Sequence, residues 1–98
     1  MATYLVIGNF TEQGLSKVKD TVKRTDAYRA MAKKCGATVK DTYWLLGQYD
    51  MLAIVEAPDD AAITALQLSA GALGNFRAQT LRAFTPGEIE PILSKMVS

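Results

Sequence analysis

Met51-Leu52-Ala53-Ile54-Val55 is an unbroken run of five apolar residues, closed by Asp50 and Glu56. In an extended chain, successive side chains point to opposite faces. A strand with one wet face therefore alternates apolar and polar residues, and an unbroken run needs cover on both sides. Met51, Ala53 and Val55 fall on one side, and Leu52 and Ile54 on the other, in phase with Asp50 and Glu56. Thr3 to Asn9 has the same property. Leu5 and Ile7 share one face and Tyr4 and Val6 the other, with no clearly polar side until Asn9. Each of these strands demands a packed layer above and below it.

The rest of the chain supplies candidate layers. Thr42 to Leu46 is aromatic, apolar or β-branched, as strands prefer. It forms the end of a second strand spanning Ala37 to Leu46, whose Lys40 and Asp41 suit a sheet edge. Gly47 and Asp50 bracket Gln48 and Tyr49, which predicts a tight hairpin turn into a third strand, Asp50 to Glu56. Before it, Thr11 is placed to cap a helix, with Phe10 and Leu15 as a hydrophobic staple. Leu15, Val18 and Val22 make one helical stripe. Tyr28, Met31, Ala32 and Cys35 make another, rotated far from the first, so the spacing predicts a break near residues 20 to 25. Asp20 or Thr21 would cap the second part, and Gly36 would end it behind Lys33 and Lys34.

Pro58-Asp59-Asp60 opens a further helix carrying Ile63, Leu66 and Leu73, ended by Gly71 and Gly74. A fourth strand follows at Phe76 to Phe84. Thr85-Pro86-Gly87-Glu88 is a capping box with proline at the first helical position. It starts a last helix with Ile89, Ile92, Leu93 and Met96, in which Pro91 predicts a kink or a later start.

Strand, helix, strand, strand, helix, strand, helix is the order of an α+β, ferredoxin-like split βαββαβ domain with a four-stranded antiparallel sheet and an extra C-terminal helix. One domain accounts for residues 1–98. The first and third strands then lie in the middle of the sheet, where the doubly apolar segments belong. The two crossover helices cover one face, and a second subunit's sheet is the simplest cover for the other. A homodimer packed sheet to sheet, or a higher homo-oligomer, is expected.

Composition narrows the chemistry. There is no histidine and one cysteine, Cys35. That excludes a Ser-His-Asp triad, a Cys-His pair, a His-ligated haem and any zinc site built by one subunit from His or Cys. No cofactor and no metal is expected. A formal net charge of +1 gives no reason to expect nucleic acid or an acidic membrane surface as partner. No apolar run reaches the roughly 20 residues of a membrane span, and the N-terminus lacks a basic stretch followed by an apolar one. A cytoplasmic location is the expectation.

Gly47-Gln48-Tyr49-Asp50, the apolar strand behind it and Glu56-Ala57-Pro58-Asp59-Asp60 resemble the GYD-domain family of small bacterial proteins. So do Met1-Ala2-Thr3-Tyr4-Leu5-Val6, Asn9-Phe10-Thr11-Glu12-Gln13-Gly14 and Leu81-Arg82-Ala83-Phe84. The Gly-x-Tyr-Asp hairpin is also similar to that of the effector domain of leucine-responsive regulators. The resemblance implies a dimeric α+β barrel.

Six residues are candidates for ligand contact: Asn9, Trp44, Tyr49, Asp50, Glu56 and Arg82. Each has a structural reading beside the functional one. Gly47, Tyr49 and Asp50 could meet a ligand at the mouth of a barrel, or serve the turn and a subunit contact. Trp44 could stack on a planar ligand, or fill a core. A buried Arg82 would need a partner, for which Glu56 is available. Lys17, Lys19, Lys23 and Arg24 read as a solvated face. Cys35, at a helix C-terminus, is poorly placed to become a thiolate. Two functions follow. One is a homo-oligomeric module for small-molecule binding or assembly. The other is a cofactor-independent enzyme, monooxygenase- or isomerase-like, with an apolar pocket in the barrel, Asp50 as proton acceptor and Arg82 as anion stabiliser.

Overall fold

β1 (Ala2–Phe10) and β3 (Met51–Ala57) pair antiparallel along the whole of β3, from Ala2 opposite Ala57 to Gly8 opposite Met51. They are the middle strands. β2 (Thr38–Trp44) flanks β3 and β4 (Phe76–Ala83) flanks β1, giving the antiparallel order β2-β3-β1-β4. The computed structural model describes all residues, Met1–Ser98. Helices α1 (Glu12–Ser16) and α2 (Thr21–Lys34) connect β1 to β2, α3 (Asp60–Gly71) connects β3 to β4, and α4 (Pro86–Leu93) follows β4. The molecule measures 52 × 31 × 19 Å. Its thin dimension is that of one helix layer, about 10 Å across, on one sheet.

The core lies between those two layers. Tyr4 and Val6 of β1, Ala53, Val55 and Ala57 of β3, and Val39 of β2 meet Ala32 of α2 and Ile63 and Leu66 of α3. Val55 and Leu66 have no exposed surface. Cutting Leu66 to alanine would cost about 2–5 kcal/mol, because a cavity forms where transfer energy is also lost. Tyr28, Met31 and Cys35 pack at the margin, so the second helical stripe is the one that faces inward.

The first stripe does not. Leu15 and Val22 are exposed, at 59% and 58%, and the Phe10–Leu15 staple is not what holds α1. The glycine beside Leu15 explains this. Gly14 is buried, and a Cβ there would lie 1.9 Å from the Asn75 carbonyl oxygen. Only a glycine allows that approach, and it turns Leu15 outward. Thr11 caps α1 as expected, its Oγ1 accepting from Gly14 N at 3.1 Å. The same hydroxyl donates to Gly74 O at 2.6 Å, and Thr11 N donates to Asn75 O at 3.1 Å. The start of α1 is thus clamped onto the α3–β4 turn.

The helix break falls at residues 17–20, slightly ahead of the expected segment. Lys17 leaves the helical region (φ −123°, ψ 38°), and a single 3₁₀ turn, Val18–Asp20, leads into α2. Asp20 stands at the N-cap without a side-chain capping bond. Arg24 Nη2 instead ties the break together, donating to Gly14 O at 2.8 Å and Lys17 O at 3.2 Å. Gly14 O is a carbonyl that the end of the short helix leaves free, while Lys17 O also accepts from Asp20 N. At the far end of α2, Gly36 N bonds Lys33 O and Ala37 N bonds Ala32 O, a Schellman closure.

α4 starts at Pro86, not later. Thr85 Oγ1 accepts from Glu88 N at 3.3 Å, and Thr85 N donates to Glu88 Oε1 at 3.0 Å. This box fixes the start firmly enough that Pro91 is carried inside the helix, where its missing N–H costs one bond. Ile89, Ile92, Leu93, Met96 and Val97 are all exposed. The radius of gyration is 14.9 Å, above the roughly 13 Å of a compact chain near 100 residues. No helix is long and apolar enough to cross a membrane.

Two glycine substitutions separate close approach from helix propensity. Gly14→Ala forces the α1–Asn75 contact apart and is expected to cost about 1–3 kcal/mol in urea unfolding. Gly71→Ala meets nothing within 4 Å and is expected to be neutral, or stabilising by up to about 1 kcal/mol.

Candidate functional site

The sheet has a second face that no helix covers. Direct cross-strand partners share a face, so the register identifies it. Leu5 pairs with Ile54 and Leu81, Ile7 with Leu52 and Gln79, and Leu52 with Tyr43. Leu5, Ile7, Leu52 and Ile54 therefore form a continuous apolar centre on the two middle strands. None of the four belongs to the buried core. Tyr43 and Leu81 flank them, exposed at 51% and 41%. The rim is polar, with Asn9, Asp41, Gln79 and Glu56. Glu56 is ion-paired with Lys40 at 3.6 Å. A half-exposed pair of this kind contributes at most about 1 kcal/mol. Lys40 sits where the β2–β3 register slips between Val39 and Asp41.

The hairpin between β2 and β3 is wider than a tight turn. The ladder ends at Trp44 opposite Met51. Residues 45–50 form the connection, closed by Leu45 N to Asp50 O at 2.8 Å. Leu45 and Leu46 leave the strand, and Leu46 is wholly exposed. Gly47 takes φ +133°, which side-chain-bearing residues avoid. Asp50 works on the neighbouring strand. Its amide donates to Gly8 O at 2.9 Å and its Oδ2 accepts from Phe10 N at 3.0 Å. It extends the β1–β3 pairing ahead of the start of β3, with a carboxylate in place of a carbonyl. Tyr49 lies half-buried beside it.

Trp44 and Arg82 lie on the helix side of the sheet, far apart. Trp44 Nε1 donates to Thr21 Oγ1 at 3.1 Å, at the start of α2. Arg82 sits on the opposite edge strand, about 14 Å away across three strand spacings before any offset along the strands. The expected buried Arg82–Glu56 pair does not form. Arg82 is opposite Tyr4 and Glu56 opposite Thr3. Neighbours on β1 face opposite ways, so the sheet stands between the two side chains. Arg82 Nη2 pairs with Glu88 Oε2 of α4 at 3.1 Å. Its guanidinium lies 4.5 Å from the Phe84 ring centre and 5.6 Å from that of Tyr4. The Thr85 amide and Arg82 both stabilise ionised Glu88 and lower its pKa below the ordinary glutamate value. Tyr4 OH donates to Asp60 Oδ1 at 2.5 Å. That bond, with burial and the Asp60 charge, pushes the phenol up.

The sequence candidates thus fall into separate places: Asn9 and Glu56 on the open face, Tyr49 and Asp50 in the hairpin, Trp44 and Arg82 on opposite edges. None of them except Asn9 lines a principal concavity, and that one, beside Gln13 and Arg77, is nearly without apolar lining. The main cavity, about 510 Å³, lies between α2, α3 and the helix side of the sheet. Phe10 and Phe76 meet edge to face at 5.8 Å in its wall, with Met31, Met51, Ala70 and Leu73. Tyr28, its phenol raised far above the ordinary value by burial, stays protonated and donates to Gln67 Oε1. Arg24 reaches in over the Phe10 ring at 5.7 Å. In the sequence Arg24 sits in a basic run. The signal that it turns inward is its spacing to Tyr28 and Met31, four and seven residues on, along the buried stripe.

The family model described as "GYD domain" matches residues 4–93. A protein of Thermus thermophilus named glutamine synthetase and cystathionine beta-lyase binding protein is 27% identical over 90 residues, covering 91% of this chain and 95% of that protein. Among solved structures, that of MtbAldR (Rv2779c) superposes with a TM-score of 0.68 at 15% identity, covering 86% of this chain and 53% of that one. The chain spans about half of MtbAldR, and the likeness is one of fold.

Asp50→Ala removes the acceptor of the Phe10 amide and is expected to cost about 1–3 kcal/mol, with faster hydrogen exchange at Phe10. Asp50→Asn, which keeps an oxygen there, should retain most of that stability. Equal urea midpoints for wild type and Asp50→Ala would show that the bond holds nothing.

Proposed function

The chain belongs to the GYD-domain family, and from that premise we propose that it is a self-associating module for assembly or small-molecule binding. The observation that carries this reading is the open apolar face of Leu5, Ile7, Leu52 and Ile54. A contiguous apolar patch on the middle strands of a sheet marks an interaction surface. Its polar rim and aromatic flank, Tyr43, fit the anatomy of a protein interface.

A second copy of the same face is the occupant we favour. Two such sheets related by a two-fold axis would stack about 10 Å apart, as sheets do, and form a dimeric α+β barrel. Four strands of about seven residues present roughly 440 Å² in projection. That is about half of the roughly 800 Å² per partner of a standard stable interface, and the exposed residues of α4 are a further apolar surface. The capping box and the Arg82–Glu88 pair hold α4 away from its own core, in position to lie against a neighbour.

The relative from Thermus thermophilus is named for binding two enzymes. By analogy, this module when assembled would dock other proteins. The catalytic alternative has less in its favour, because the Asp50 carboxylate is taken by the Phe10 amide and Trp44 and Arg82 do not converge.

Light scattering of the purified chain is expected to give twice the 10.6 kDa chain mass or a higher multiple. Ile54→Glu is expected to give the single-chain mass with unchanged circular dichroism, since Ile54 lies outside the buried core. A wild type at the single-chain mass at all concentrations would overturn the reading.

A further inference from the structure

We propose that the cavity between the helices and the sheet binds small monocarboxylates with an apolar body, held at the acid end by Arg24. This deepens the small-molecule half of the reading above and rests on it. It places the site on the opposite side of the sheet from the self-association face.

Three observations carry it. The first is size and lining. About 510 Å³ lies within the 300–1,000 Å³ of ligand pockets, and walls of aromatic and thioether groups with a few polar ones are what such pockets have. The second is the state of Arg24. Its Nη2 is fixed by Gly14 O and Lys17 O, and its guanidinium carbon lies over the Phe10 ring. The structure gives its Nε and Nη1 no protein acceptor, and no carboxylate pairs with it. A guanidinium already pinned loses little freedom when it binds, and its planar fork matches a carboxylate. The third is charge. No Asp or Glu lines the cavity. An anion is therefore welcome, while the ammonium of an amino acid or amine would be desolvated with nothing to pair it.

Octanoate, octanol and octylamine share one body and differ in the head. Titrated into the full chain and followed by amide chemical shifts and calorimetry, octanoate is expected to saturate, with shifts at Phe10, Arg24, Leu73 and Phe76. Octanol is expected to bind at least tenfold more weakly, and octylamine not at all. Arg24→Gln should weaken octanoate at least tenfold and leave octanol unchanged, while Ala70→Trp, which fills the cavity and keeps Arg24, should abolish both. Equal binding of octanoate and octanol to wild type would overturn the proposal. So would shifts confined to Leu5 and Ile54, or undiminished binding to Ala70→Trp. These comparisons use wild type and Ala70→Trp, so they stand even if Arg24→Gln is poorly folded. Light scattering on the same samples reads assembly separately. Octanoate binding to a monomer would sink self-association and keep this site; an oligomer that binds no octanoate would do the reverse.

Discussion

Everything in this fold depends on the pairing of two strands that are apolar on both sides. β1 and β3 run antiparallel through the centre of the sheet, and each turns one set of side chains to the helices and another away from them. The helix side is settled by the core of Tyr4, Val6, Ala53 and Val55 against Ala32, Ile63 and Leu66. Burying each of the larger of these stabilises by about 1.5–3 kcal/mol. The other side carries Leu5, Ile7, Leu52 and Ile54 with nothing above them in a single chain. A chain with only two layers of structure and three layers' worth of apolar sequence leaves one apolar face of its sheet uncovered.

The remaining elements act on the ends of that pair. Asp50 and its amide extend the pairing with β1 past the first residue of β3. Thr11, Gly14 and Asn75 clamp the exit of β1 to the entry of β4, and Arg24 braces the helix break above them. These contacts frame the cavity, whose walls are α2, α3 and the helix side of the sheet. At the opposite end, Tyr4, Asp60, Arg82 and Glu88 tie the start of β1 to α3 and α4. Within the hairpin motif, Asp50 therefore works in the scaffold.

Much of this was legible in the chain itself. The middle strands announce themselves in Met51–Val55 and Tyr4–Ile7, because burial on two faces leaves no polar alternation. The caps at Thr11 and Thr85 were legible because an N-cap is a local device. What needed the structure was everything set by approach or by register. Leu15 looked like a staple, and only the contact of Gly14 with Asn75 turns it out. Arg82 and Glu56 looked like partners, and the pleat of β1 puts them on opposite faces. The second strand looked longer because Leu45 and Leu46 are apolar, yet neither extends the ladder. Arg24 was hidden by basic neighbours that share its charge but not its side of the helix.

The most direct test of the account is an isotope-filtered NOE experiment on a mixture of labelled and unlabelled chains. Methyl contacts between the Leu5, Leu52 and Ile54 groups of one copy and the same face of another are what a sheet-to-sheet pair predicts. An absence of intermolecular contacts at those methyls in the assembled protein would contradict it, and would mean that the second apolar face has some other occupant.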